Sequence, residues 1–192
     1  MQMASSYSPR SQFEKTRNYM ACQQAILIGL LNEEFKVTIQ KPVKKASVTQ
    51  QYLNIRLIQR KNDVIEIDHF VEERCAERKE HDINSGVSIS AAKQRVGKNK
   101  ITELNLLLID ILNMLGYTFT TTTSEGKNGA MKNESIKSVY RNGKYLCGKE
   151  GIVNIGKKIN KYLCELIEKN NEITIDYNDI SLREYINSLV SL

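Results

Sequence analysis

Three lysines, Lys157, Lys158 and Lys161, stand in the pattern K-K-x-x-K within a segment whose apolar residues Ile155, Ile159, Tyr162, Leu163, Leu166 and Ile167 recur at helical spacing. On a helix turning 100° per residue, measured from Ile155, the lysines fall at about 200°, 300° and 240°, and the apolar set clusters within roughly 120° of the origin. The three ammonium groups therefore leave one side of the helix together. The sequence places them in the first turns of this last helix, where they add charge to the positive end of the macrodipole. That arrangement costs stability and favours a phosphate-bearing ligand. A solvated helix face is the bland reading of the same triplet.

The whole chain has the same bias. It holds 28 Lys and Arg against 22 Asp and Glu in 192 residues, a net charge of +6, which makes a polyanion the natural partner class. Residues 1–97 carry 15 basic and 11 acidic side chains, residues 98–170 carry 12 and 7, and residues 171–192 carry 1 and 4. The densest excess thus lies around the lysine triplet. This length allows one ordinary domain or two small ones, and a 41% hydrophobic composition can bury a core. Cys22, Cys75, Cys147 and Cys164 form no C-x-x-C pair, which argues against a zinc ribbon or redox motif and fits a reducing compartment. No run approaches about 18 apolar residues. The expectation is an intracellular, cytoplasmic protein without signal peptide or membrane span.

Other groups that could do chemistry are weaker. His69, Cys75 and His81 are spaced by six, which scatters them around a helix and argues against a metal site. Glu66 and Asp68 are expected on one strand face, but no lysine-bearing nuclease motif accompanies them. Lys41-Pro42-Val43-Lys44-Lys45 reads as a short nuclear-import signal or as a basic linker. No catalytic residue, cofactor, metal or small-molecule substrate is expected, and the chain reads as non-enzymatic.

The elements that position the lysines follow from periodicity. Residues 1–9 read as a flexible leader, and Ser11 to Leu31 as a loosely amphipathic helix. Three alternating runs follow, around Phe35, Val37 and Ile39, around Leu53, Ile55 and Leu57, and around Ile65 and Ile67. The last two are expected to form a hairpin. Val71 to His81 is helix-permissive, and Asn84-Ser85-Gly86 marks a break. Asn99 is placed to cap a helix with the stripe Ile101, Leu104, Leu108, Ile111, Leu112 and Leu115, ended by Gly116. Tyr117 to Thr123 and Ile136 to Tyr140 read as strands. In Arg141-Asn142-Gly143-Lys144, Asn-Gly supplies the two positive φ values of a type I′ turn, so Lys137 to Cys147 is expected as a tight hairpin. Leu182, Ile186 and Leu189 share a helical stripe in an acidic tail expected to dock on the body. The fold class expected is α+β, with an N-terminal α+β domain over 10–97, a helix-strand-strand-strand-helix domain over 98–170 and a helical tail over 171–192.

Residues 99–170 resemble a double-stranded RNA-binding domain, a family of αβββα order, through four features in the right sequence. Ile101-Thr102-Glu103-Leu104 resembles the L-x-E-L of its first helix, and Ser124-Glu125-Gly126-Lys127-Asn128 resembles its E-G-P-x-H loop. Arg141-Asn142-Gly143-Lys144 with Gly148 and Gly151 resembles the N-G-K hairpin and its glycine-rich exit, and Lys157-Lys158-Ile159-Asn160-Lys161 resembles the K-K-x-A-K opening of its second helix. The chain departs from the pattern at the loop proline and histidine, replaced by Lys127 and Gly129 or its neighbours. It departs again at Gly156 in place of serine, at Asn160 in place of alanine, and in the extra residues Ile152 to Ile155.

The resemblance implies non-catalytic, shape-specific binding of double-stranded RNA over two minor grooves and the phosphates between them, about 16 base pairs. It implies that Glu103 accepts from a 2′-hydroxyl or base-edge donor, that Lys127 and Asn128 enter the second minor groove, and that Lys157, Lys158 and Lys161 bridge phosphates. The first half is a candidate degenerate repeat, without an N-G-K turn or a K-K-x-x-K of its own. At this size the arrangement resembles viral antagonists that hide double-stranded RNA from innate sensors or silencing nucleases in the host cytoplasm. Two other readings stay open: a related domain that dimerises or binds proteins instead of RNA, and an accessory protein of RNA processing or the ribosome.

Overall fold

Residues 22–31 form a helix, α1, with apolar side chains on every side: Ile26, Leu27, Ile28, Leu30 and Leu31 are all buried, as are Gln23 and Gln24. A helix apolar all round belongs inside a core rather than on a surface. The expected amphipathic helix is corrected here, because neighbours cover α1 on all sides. The computed structural model describes residues 22–31, 34–41, 53–124, 133–176, 184–185 and 187–189. The expected helical residues 11–21 lie outside them.

After α1 come β1 (Lys36–Gln40), β2 (Asn54–Arg60), β3 (Asp63–Glu66) and the helices α2 (Ile67–Asn84) and α3 (Ile89–Gln94). Then α4 (Val96–Met114) leads into β4 (Tyr117–Ser124), β5 (Asn133–Arg141) and β6 (Lys144–Gly148), followed by α5 (Lys149–Lys169) and β7 (Glu172–Ile175). The class is mixed α+β with two antiparallel sheets, ordered β3-β2-β1-β7 and β4-β5-β6. The expected hairpin of the first half is β2–β3, paired from Leu57↔Glu66 to Arg60↔Asp63. Its strand partner is shorter than expected, since Ile67 already begins α2.

The four-stranded sheet closes with a strand from the far end of the chain. In β7, Ile173 and Ile175 alternate with Glu172 and Thr174, a period of two that suits a strand better than a helix. It pairs with β1 from Val37↔Ile175 to Gln40↔Glu172, and the hydroxyls of Thr38 and Thr174 lie 3.2 Å apart across the pair. The expected all-helical tail is therefore corrected at 172–175. Further on, Tyr185 stacks on Tyr162 of α5 with ring centres 5.0 Å apart, and Leu189 packs against the core. Of the expected stripe, Leu182 and Ile186 lie outside the described residues.

The boundary expected between residues 97 and 98 falls in the first turn of α4, and no break in the core marks it. One hydrophobic cluster runs through Leu27, Ile39, Ile58, Leu108, Leu112, Ile136, Ile159 and Leu163. Helix α1 belongs to this cluster and is tied directly to the three-stranded sheet. Gln23 Oε1 accepts a hydrogen bond from the Ile136 N–H at 2.8 Å, two residues past the last β5–β6 pair, Ser138↔Gly148. A buried amide beyond the end of its ladder needs such a partner. On the other side α5 lies so close that a Cβ at Gly156 would stand 2.7 Å from Cys22 Cα, so only glycine fits.

Candidate nucleic-acid interface

The tight hairpin sets where α5 begins. Asn142 and Gly143 take φ values of +49° and +80°, and Arg141 pairs with Lys144, giving the two-residue turn that Asn-Gly favours. The Asn142 N–H donates to the Gly116 carbonyl at 3.0 Å, fastening the turn to the end of α4. The Arg141 guanidinium lies 4.9 Å from the ring centre of buried Tyr117. From this anchored hairpin β6 runs straight into α5 at Lys149.

Helix α5 is longer at its start than expected. Ile152, Gly156, Ile159, Leu163 and Ile167 are buried along it, at offsets that extend the expected stripe by one full turn. Lys157, Lys158 and Lys161 are exposed together on the opposite side, as the helical angles require. They are not in the first turns. At 1.5 Å per residue they sit about 12 to 18 Å along the helix from Lys149, beyond the reach of the terminal dipole. The expected dipole contribution is thus corrected, because Ile152 to Ile155 are helix rather than a lead-in. What remains is a plain cluster of three cations. Lys161 Nζ stands 4.0 Å from Glu165 in a solvent-exposed pair, and Lys157 is close enough to Cys22 to lower its thiol pKa, although burial raises that pKa more.

Glu103 is elsewhere. Instead of facing solvent, its Oε1 meets Arg78 Nη2 at 2.9 Å, with the side chains 12% and 4% exposed. Arg78 belongs to the buried side of α2, in line with Ile67, Val71, Cys75 and Asp82. A guanidinium buried there requires a counter-charge, and α4 crossing α2 supplies it. Glu103 is therefore held in a largely buried ion pair, and the expectation that it points freely to solvent is corrected. A second pair, Arg95 Nη1 to Asp82 Oδ2 at 3.5 Å, links the start of α4 to the end of α2. Beside these pairs a groove of about 380 Å³ runs between α2 and α4, lined by Phe70, Arg74, Arg78, Glu103, Leu107 and Asp110 among others. Asn99, expected as the cap of α4, lies inside the helix, which begins at Val96.

Lys127 and Asn128 lie outside the described residues, as do Lys44 and Lys45. Glu66 ends β3 and Asp68 stands in the first turn of α2, so the expected shared strand face does not exist; the helix begins between them. His69 is exposed with Nε2 3.3 Å from Glu73, and Cys75 is buried, its thiol pKa raised by burial and then by Glu103. Burial pushes Cys147 up to about 11. Thiols of this kind are protonated and inert near neutrality.

The open face of the three-stranded sheet was not among the expected features. Thr118 pairs with Tyr140, and Tyr140 with Tyr145, while the neighbouring pairs Phe119↔Val139 and Val139↔Cys147 face the core. The two tyrosine rings meet edge to face at 5.6 Å. The alternation of Tyr117 and Phe119 with Thr118, Thr120 and Thr122 held this information, since alternate residues line opposite faces. No family model, curated protein or solved structure matches the chain.

Proposed function

We propose that residues 96–169 form a double-stranded RNA-binding unit that holds the duplex without cutting it and sequesters it by shape. The observation carrying this reading is the cluster of Lys157, Lys158 and Lys161 on the solvent side of α5, opposite a stripe that docks the helix on its sheet. Two features support it: the order helix, three antiparallel strands, helix, and the Asn142-Gly143 turn. A-form RNA presents paired phosphate rows across a narrow major groove, and a rigid row of ammonium groups matches them without reading sequence. Glu103 has no part in this scheme. The RNA contacts proposed are the three lysines, with Lys127 and Asn128 as loop contacts.

The test is binding of duplex RNA, duplex DNA and single-stranded RNA over a salt series, with the three lysines replaced by alanine. The reading expects preference for duplex RNA, and a salt slope that falls by roughly one unit for each phosphate that the variant no longer neutralises. Equal, weak binding to all three nucleic acids, untouched by the substitutions, would overturn it. Antagonism of RNA sensing or silencing would follow from sequestration and needs no further site on the protein.

A further inference from the structure

The two sheets have four outermost strands, and three of them are guarded against pairing with another chain. β3 is four residues long and carries Asp63 and Glu66. β7 is also four residues, with Glu172 held by Gln40 and Arg56, each at 2.9 Å. β6 has Lys144 at its start and turns into α5 after five residues. Short, charged or covered edges are the usual protection of a sheet. Among the described residues β4 has none of these. Its eight residues, YTFTTTTS, include no charge and no proline, and among the described residues β5 is its one strand neighbour.

The first half of the molecule shows what such an edge accepts. β1, like β4, is the first strand after a helix and pairs on one side with the next strand in sequence. Its other side takes an antiparallel strand, β7, with threonine set against threonine at Thr38 and Thr174. β4 offers the same chemistry, with Thr118, Thr120 and Thr122 exposed on one face. Because it bears no charge, a copy of itself meets no repulsion, and threonine pairs across strands are favourable.

We propose that β4 is a homodimer interface, two copies pairing antiparallel about a two-fold axis to make one continuous six-stranded sheet. Such an interface is isologous and closes on itself. With Thr120 on the axis, Thr120 opposes its own copy and Thr118 opposes Thr122, and the helices of both copies stay on one side of the sheet, since opposed residues then share a face. The lysine side of α5 takes no part in the pairing, so the proposal does not depend on RNA binding.

Sedimentation of the full chain without nucleic acid, across a wide concentration series, tests it. The unmodified protein is expected to shift reversibly from monomer to dimer. The double variant Thr120→Lys and Thr122→Lys, with unchanged circular dichroism and melting temperature, is expected to weaken the dimer about tenfold or more by opposing like charges across the axis. A second arm replaces Cys164, the one cysteine of the four that is not fully buried, by serine and introduces Thr120→Cys. Oxidation should then give a disulfide dimer, because Cα atoms opposed in an antiparallel pair stand about 4.5 to 5.5 Å apart. Val64→Cys, on the exposed and charged β3 edge, should give none. A protein that stays monomeric throughout would overturn the proposal. So would a dimer indifferent to the lysines, or Thr120→Cys linking no faster than Val64→Cys. If the double-lysine variant does not fold, the cross-linking rates decide.

Discussion

The chain folds the same order of elements twice, and the two versions are built differently. In the first, α1, β1, β2, β3 and α2, the sheet is sealed by β7 and the closing helix buries charge, with Arg78 and Asp82 on its inner side. In the second, α4, β4, β5, β6 and α5, the sheet has three strands and the closing helix buries only Ile152, Gly156, Ile159, Leu163 and Ile167. The first half's buried charges are paired within the fold, with Glu103 and Arg95. The second half carries three cations outward. On α5 the inner side is wholly apolar, so its charges, the three lysines among them, all lie on the outer side.

The largest expected effect breaks the pair that joins the halves. Glu103→Ala removes the carboxylate that the buried Arg78 guanidinium meets at 2.9 Å and should cost about 3 kcal/mol in urea unfolding. The double variant Arg78→Met with Glu103→Leu should recover most of that loss, because the buried charge leaves with its partner. Alanine at Lys157, Lys158 and Lys161 should leave the unfolding midpoint almost unmoved, which would separate the structural charges from the surface ones. If Glu103→Ala is as stable as the unmodified protein, the contrast between the halves is wrong.

A smaller loss is expected from Gly156→Ala, whose methyl group would press on the Cys22 backbone where α1 lies under α5. The overlap should cost about 1 to 3 kcal/mol, read as a lower melting temperature. The loss should be shared by both halves and appear as a single transition, since α1 belongs to the one hydrophobic cluster that runs through both of them.

The smallest concerns the seal on the first sheet. A hydrogen bond from Gln40, and then the Arg56 guanidinium, hold the Glu172 carboxyl below the usual carboxylate range. A depressed folded-state pKa adds stability that is present above the unfolded value and lost as the pH falls through the folded one. The contribution is slight because the Glu172 side chain is solvent-exposed. Glu172→Gln should therefore lower stability slightly at neutral pH and flatten the shallow acid-side decline, so that variant and unmodified protein converge at low pH. A steeper decline in the variant would contradict the assignment.

Much of this was legible locally. Asn142-Gly143 announced its turn because few other residues accept two positive φ values in succession. Ile155, Ile159, Leu163 and Ile167 announced α5 and, by exclusion, the direction of its lysines. The α2 break at Asn84 to Gly86 and the end of α4 at Gly116 were readable from backbone chemistry alone. The start of α5 was not, because Gly151 and Gly156 look like loop residues until Gly156 is seen against Cys22. Ile173 and Ile175 were too short a run to declare a strand without the β1 edge beside them. Glu103 misled for a similar reason: its helical angle was right, but the surface it faced was occupied by α2.

The sequence by itself therefore determined most of the local elements and the common direction of Lys157, Lys158 and Lys161, because these depend on backbone conformation and on periods of two and 3.6 residues. Only the tertiary structure decided which charges are paired inside. Whether Glu103 meets water or Arg78, whether α1 has a solvent face, and whether an edge such as that of β1 is sealed or one such as β4 is left open all depend on residues distant in the chain. Those contacts arise only when the core brings the elements together, and a local pattern holds no record of them.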